Sequence, residues 1–203
     1  MTELRKFEAG AADTVLAIID VQKDFCESGK EFAYFGRRAS DVAPMQKVVR
    51  NGIIPLLENA RNSGMFIIFI KASYKKGQFP EFRQLCISGT IGWDFYKIRP
   101  SKKNSKELVF EKSGMDCFGS KPDLGKWLLS RGIRNVLIAG FTTDQCVKAS
   151  ALSFAERGFN TIIIEDCVST AAYKMDAHKK TLEFFRRHPA IKVVDSNNIK
   201  FIS

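Results

Sequence analysis

Apolar positions along the chain fall into two alternating patterns. Thr14 to Ile19 (Thr-Val-Leu-Ala-Ile-Ile) is an unbroken β-branched and apolar run, which predicts a strand buried on both faces. Apolar or small residues then recur at 45, 48, 49, 52, 53, 56, 57 and 60, offsets of three and four that trace one face of a long helix. Pro55 lies inside that pattern and should kink or split the helix near Ile54, and Gly64 ends it. Residues 65–70, Met-Phe-Ile-Ile-Phe-Ile, predict a second buried strand.

Residues 71–106 show no clean period and hold Gly77, Pro80, Gly89, Gly92 and Pro100, which fits a lid or binding segment; the alternative is a short helix at 81–85 followed by surface loop. Regularity returns with a short strand at 107–111. Ser120-Lys-Pro-Asp123 reads as a helix start, with Ser120 as cap and Pro122 in the first turn. Leu124, Trp127 and Leu128 give that helix its apolar face, and Gly132 closes it. Strands follow at 135–139, 160–164 and 192–194, with helices through Arg157 and over 175–187. This alternation predicts parallel βαβ units and a three-layer α/β/α sandwich, with residues 1–203 as one domain.

Hydrophobic residues at 45% and charged residues at 27% of 203 are globular composition and argue against a disordered or disulfide-stapled chain. The longest apolar runs fall far short of the roughly 20 residues of a membrane-spanning helix. The first eight residues mix charges and have no apolar core, so the expectation is a cytoplasmic protein without membrane attachment. The net charge of +10 directs attention to nucleic acid, but the basic residues are scattered. The densest stretch, 97–106, has no aromatic residue interleaved after Tyr96, so it lacks a base-stacking platform and reads as solvated surface.

The candidate chemistry follows from topology. In an open α/β sheet the ligand site lies beyond the carboxyl ends of the strands. The first strand ends in Asp20, the third runs into Glu111-Lys112, and Cys146 falls in the first helical turn after Gly140-Phe-Thr-Thr. Taken singly, Asp20 could cap a turn, Lys112 could be surface, and Cys146 could be buried filler like Cys26, Cys86, Cys117 and Cys167. Jointly they place an acid, an amine and a thiol on one edge. A thiol at a helix start is drawn toward thiolate by the dipole, a neighbouring lysine lowers its pKa further, and the unpaired amides can receive an oxyanion. A carboxylate can take the proton, so nucleophilic catalysis needs no histidine. There is no Cys-x-x-Cys and no glycine-rich phosphate loop.

Three segments resemble the isochorismatase-like cysteine hydrolases: Val15-Leu-Ala-Ile-Ile-Asp20-Val-Gln-Lys-Asp-Phe25, Glu111-Lys112-Ser-Gly-Met-Asp-Cys-Phe118, and Gly140-Phe-Thr-Thr-Asp-Gln-Cys146-Val. Gly158-Phe-x-x-Ile-Ile-Ile-Glu-Asp166-Cys-Val-Ser-Thr170 resembles the stretch that follows the nucleophile helix, and the likeness runs from about residue 14 to 195. The resemblance implies a triad of Asp20, Lys112 and Cys146 and a sheet of six parallel strands in the order 3-2-1-4-5-6. It also implies a cis peptide at Phe141–Thr142, with the amides of Thr142 and Cys146 as oxyanion hole, and a homo-oligomer, dimer or tetramer.

The departures narrow the expectation. Nicotinamidases of this superfamily bind a metal through an Asp and two histidines shortly after the second strand; here Lys71 to Pro80 contains neither residue type. No metal or cofactor is therefore expected, and His178 and His188 are expected on the surface of the last helix. True isochorismatases often lack the thiol, so Cys146 points toward a small amide or ureide, as in the carbamoyl-amide and ureidoacrylate branch. Phe25, Trp93 and Phe118 are candidate apolar walls, with Trp93 alternatively a lid residue packed on the sheet and Cys26 as packing or wall. Two other readings stay open: vinyl ether hydrolysis driven by Asp20, and a non-catalytic basic interaction protein.

Overall fold

The structure is a computed structural model that describes residues 6–32, 38–81 and 84–203. Nine strands are formed among them: β1 (Phe7–Gly10), β2 (Thr14–Ile19), β3 (Phe66–Ala72), β4 (Glu107–Lys112), β5 (Ser120–Lys121), β6 (Asn135–Phe141), β7 (Asn160–Ser169), β8 (Ile191–Val194) and β9 (Ile199–Ile202). The α-helices are α1 (Lys23–Cys26), α2 (Ala39–Val48), α3 (Ile54–Asn62), α4 (Leu124–Ser130), α5 (Lys148–Glu156) and α6 (Met175–Arg187).

The central sheet has seven strands in the order β5-β4-β3-β2-β6-β7-β8, which corrects the expected six-stranded, all-parallel sheet. The extra strand is β5, whose two residues pair antiparallel with Glu111 and Lys112 at the edge. This pairing also corrects the expected start of α4. Ser120 and Lys121 are held in the sheet, so Asp123 is the cap, accepting a hydrogen bond from the Lys126 amide. The chain order shifts further because β1 and β9, which pair with each other in a separate two-stranded sheet, bracket the rest.

Period-two alternation sorts side chains to two cores. Leu16 and Ile18 of β2 face one core with Val42, Met45, Ile53 and Leu57, while Val15, Ala17 and Ile19 face the other with Leu128, Ala151, Phe154 and Phe185. The long helix is split as expected, into α2 and α3. A π-helical turn, Val49–Ile53, joins them, which lets Pro55 enter at the start of α3 without closing on a carbonyl one turn back. The segment from 71 to 106 is tied down by single bridges, Tyr74 with Ile87 and Gln22 with Phe95, and by the 3-10 turn Ile91–Trp93. Part of the helix expected at 81–85 lies outside the described residues, and Leu85 is in a turn.

No helix among the described residues is long and apolar enough to cross a membrane.

Candidate active site

Asp20, Lys112 and Cys146 meet where three parallel strands end. Asp20 continues the ladder, its amide donating to the Ile70 carbonyl, and then turns the chain with φ of 52°. Aspartate is among the few non-glycine residues that tolerate this left-handed region. Next to it, Gly140 of β6 pairs with Ile19 and has φ of 117°. A Cβ at Gly140 would lie 2.0 Å from the Ile19 carbonyl oxygen, so only glycine lets β6 pass β2 here. The Phe141–Thr142 peptide is cis. Thr143–Val147 then form a π-helical turn that runs into α5 and carries Cys146.

The Lys112 ammonium is the hub. Its Nζ lies 2.9 Å from Asp20 Oδ2 and 3.3 Å from Cys146 Sγ, and it donates to the Gly114 carbonyl at 2.9 Å and the Tyr74 hydroxyl at 3.4 Å. Neither Asp20 nor Lys112 has any side-chain exposure. The Asp20 carboxylate and the Cys146 thiol lie near enough to act on each other electrostatically. Burial pushes the Asp20 carboxyl above its usual range, although Lys112 opposes the shift. Burial would lower Lys112, but the facing Asp20 and Cys146 outweigh it and hold the amine well above the usual lysine range.

Burial, followed by the charge of Asp20, pushes the Cys146 thiol up to about 12, with Lys112 opposing. The expected drift toward thiolate therefore meets an opposing force: desolvation by burial exceeds the pull of the lysine and raises the thiol.

The turn beneath the thiol is braced from both sides. Asp144 accepts from Thr170 Oγ1 at 3.0 Å and pairs with Lys174 at 3.4 Å. His178 Nδ1 lies 2.9 Å from Thr143 Oγ1 and the ring is buried, which corrects its expected surface placement. The amphipathic period of α6 turns it inward onto the turn rather than out to water. Burial lowers the His178 pKa.

Cys146 opens into a cavity of about 60 Å³ lined by Phe25, Tyr74, Phe79, Glu81, Leu85, Met115 and Gln145. Phe25 thus faces the site. Trp93 and Phe118 do not line this cavity. The Trp93 ring lies under the Lys71 ammonium, 2.9 Å from its centroid, and the Trp93 carbonyl accepts from Gln22 Nε2 at 2.9 Å. Phe118 packs edge-on to Phe154 at 4.9 Å with the Arg157 guanidinium over its ring. Cys26 is buried in the core, its carbonyl accepting from Gln46.

Sequence reasoning missed Tyr74, Gln145 and Gln22. Tyr74 stands two residues beyond the end of β3, where the strand-end rule would have found it. Gln22 holds both the amide and the carbonyl of Ala72, at 2.8 and 3.0 Å, and so clamps the turn after Asp20 to the end of β3.

A metal of the nicotinamidase type does not fit this donor set. The end of β3 and the residues after it offer Lys71 and Tyr74, and among the described residues no three His, Cys, Asp or Glu side chains are grouped to hold an ion.

The Isochorismatase domain family matches residues 14–198, and the chain belongs to that family. It is 31% identical to the nicotinamidase/pyrazinamidase of Mycobacterium tuberculosis over 190 residues, covering 84% of this chain and 93% of the relative. The ureidoacrylate amidohydrolase of Variovorax paradoxus is 23% identical over 177 residues, 77% of this chain and 68% of the relative. The crystal structure of N-carbamoylsarcosine amidase from Thermoplasma acidophilum superposes with a TM-score of 0.70 at 21% identity, covering 91% of this chain and 97% of that one, a likeness of fold. The relatives named here are amidohydrolases acting on non-peptide C–N bonds.

Proposed function

We propose that this chain, one domain over residues 1–203, hydrolyses the C–N bond of a small carboxamide or ureide through a thioester on Cys146. The observation that carries the reading is the Lys112 ammonium within 3.3 Å of the thiol and 2.9 Å of Asp20. Asp20 takes the thiol proton, and the sulfur attacks the carbonyl carbon as the C=O pair moves onto oxygen. The amides of Thr142 and Cys146 hold that oxyanion. Collapse expels the amine, which leaves with the proton returned by Asp20. Asp20 then takes a proton from water, the hydroxide attacks the thioester carbonyl, and the thiolate departs to be reprotonated.

The raised Asp20 pKa and the raised thiol pKa move in the same direction, which keeps the transfer between them within reach despite burial. The apolar cavity walls suit a compact acyl group. A panel of ureido acids, nicotinamide, maleamate and isochorismate, assayed for ammonia and pyruvate, tests the class. Ammonia release lost in Cys146→Ala supports it. Pyruvate release that survives Cys146→Ala replaces it with vinyl ether hydrolysis driven by Asp20. Self-association through the helical faces belongs to the same reading, and a monomer in size-exclusion chromatography at low concentration overturns that part.

A further inference from the structure

We infer that Tyr74 is a fourth catalytic residue, donating a hydrogen bond to the Cys146 sulfur whenever that sulfur carries charge. The inference rests on the Cys146 nucleophile proposed above.

The geometry sets the direction of the bond. Tyr74 Oη is 3.7 Å from Cys146 Sγ and 3.4 Å from Lys112 Nζ. An ammonium only donates, so the Lys112 contact occupies an acceptor position of the phenol oxygen. The phenolic hydrogen is then left to point at the sulfur. The result is a chain from Lys112 N–H to the Tyr74 oxygen, and from the Tyr74 O–H to Sγ.

The ring is fixed for this task. The Tyr74 amide donates to the Cys86 carbonyl at 3.1 Å, the residue bridges to Ile87, and its ring meets Phe79 edge-on at 4.9 Å. The side chain is almost wholly buried and lines the same cavity as the thiol. Burial and the nearby Asp20 and Cys146 push the phenol well above its ordinary pKa, so it remains a donor throughout the working pH range.

Charge resides on sulfur twice per turnover: after Asp20 removes the thiol proton, and when the thiolate is expelled from the tetrahedral adduct formed by water. At both moments the Tyr74 hydrogen stays on its oxygen and only the hydrogen bond strengthens. No proton, electron or leaving group passes through the residue. The Lys112 contact polarises the same O–H, so the two groups reinforce one another at the sulfur.

The test uses Tyr74→Phe, which keeps the ring and removes the donor. Alkylation of Cys146 by iodoacetamide, followed by peptide mass spectrometry, is expected to slow about tenfold at a fixed pH, equal to a rise of about one pH unit in its profile. Turnover on the best substrate of the panel is expected to fall by at least the same factor through kcat, with KM unchanged. A Tyr74→Phe enzyme whose Cys146 alkylation profile and kcat match wild type overturns the inference. A fluorinated tyrosine introduced at 74 preserves packing and sharpens the donor, so it should move the alkylation profile to lower pH; no movement overturns the inference even if Tyr74→Phe folds poorly. A Cys146→Ala enzyme that keeps turnover removes the nucleophile reading itself, which the Tyr74 variants leave intact.

Discussion

Lys112 Nζ stands 2.9 Å from Asp20 Oδ2 with both side chains closed off from water. Two charges in that setting hold each other in place, and neither is tolerable alone. Replacing Lys112 by Met should therefore destabilise the fold by about 3–5 kcal/mol as well as abolish turnover, because the Asp20 carboxylate is left without its partner. Chemical denaturation monitored by tryptophan fluorescence measures the first effect. The double variant Lys112→Met with Asp20→Asn should recover part of the lost stability and none of the activity.

Cys146→Ala should lower amide hydrolysis to background while leaving the unfolding free energy within about 1 kcal/mol of wild type, since one sulfur is lost from the edge of a small cavity. Asp20→Asn should be nearly as inactive, because it can neither accept the thiol proton nor activate water. Wild-type turnover by Cys146→Ala would end the covalent mechanism.

Alkylation should separate the five cysteines. Cys146 is 5% exposed and faces the cavity, whereas Cys26, Cys86, Cys117 and Cys167 are fully enclosed. Cys146 should therefore react first. With the thiol pushed up to about 12, its thiolate fraction grows with each step in pH, and the rate should keep climbing through pH 9 instead of levelling near neutrality. A plateau below pH 8 would show a thiolate already formed at rest.

Away from the site, the Arg61 guanidinium grips both oxygens of Glu107 at 2.9 Å, and Glu107 also accepts from the Ser101 amide and Asn104. Burial opposes ionisation of Glu107, but these donors outweigh it and hold its pKa below the usual carboxylate range. A depressed carboxylate stabilises the fold above its unfolded pKa, and that stabilisation is lost as pH falls through the folded value. Arg61→Ala should cost about 1–3 kcal/mol at pH 7, where Glu107 is charged. The gap between variant and wild type should narrow as the pH falls through and below the usual carboxylate range. Paired urea titrations at pH 7 and at successively lower pH, down to the acid limit of the folded protein, check this; a gap that stays constant throughout would contradict it.

Gly140→Ala should be among the most damaging small substitutions, since the added methyl would meet the Ile19 carbonyl in a backbone conformation that alanine resists. Expression of folded protein and thermal unfolding are the measures, and a variant that unfolds like wild type would contradict the close approach.

The strands were legible in sequence where both faces are buried. β2 begins at Thr14 and ends at Ile19 as its run of β-branched residues indicates, and α6 spans 175–187 because its apolar stripe is sustained for over three turns. Asp20, Lys112 and Cys146 were legible as a cluster because strand ends in a parallel sheet share an edge. β1 and β9 were not legible, since four residues each carry too little pattern and their pairing joins opposite ends of the chain. Nor was β5, two residues long. Tyr74 sits in an aperiodic stretch beside a lysine pair, and the one signal for it is its place two residues beyond the end of β3. The net pKa of Cys146 was beyond sequence reasoning altogether, because the burial that sets it is a property of the assembled cavity.

The cavity divides its own ancestry in two. The proposed reacting groups sit at strand ends or in the turn that follows one, where the register of the whole sheet places them, while Phe79, Glu81, Leu85 and Met115 come from the connections between strands. Lengthening such a connection costs little, since closure entropy grows only with the logarithm of loop length. A duplicated gene can therefore rewrite what enters the cavity by insertion or exchange between 75 and 85 and at 115, and inherit the cluster of Asp20, Lys112 and Cys146 untouched. Descent in such a lineage would diversify diet before it altered chemistry.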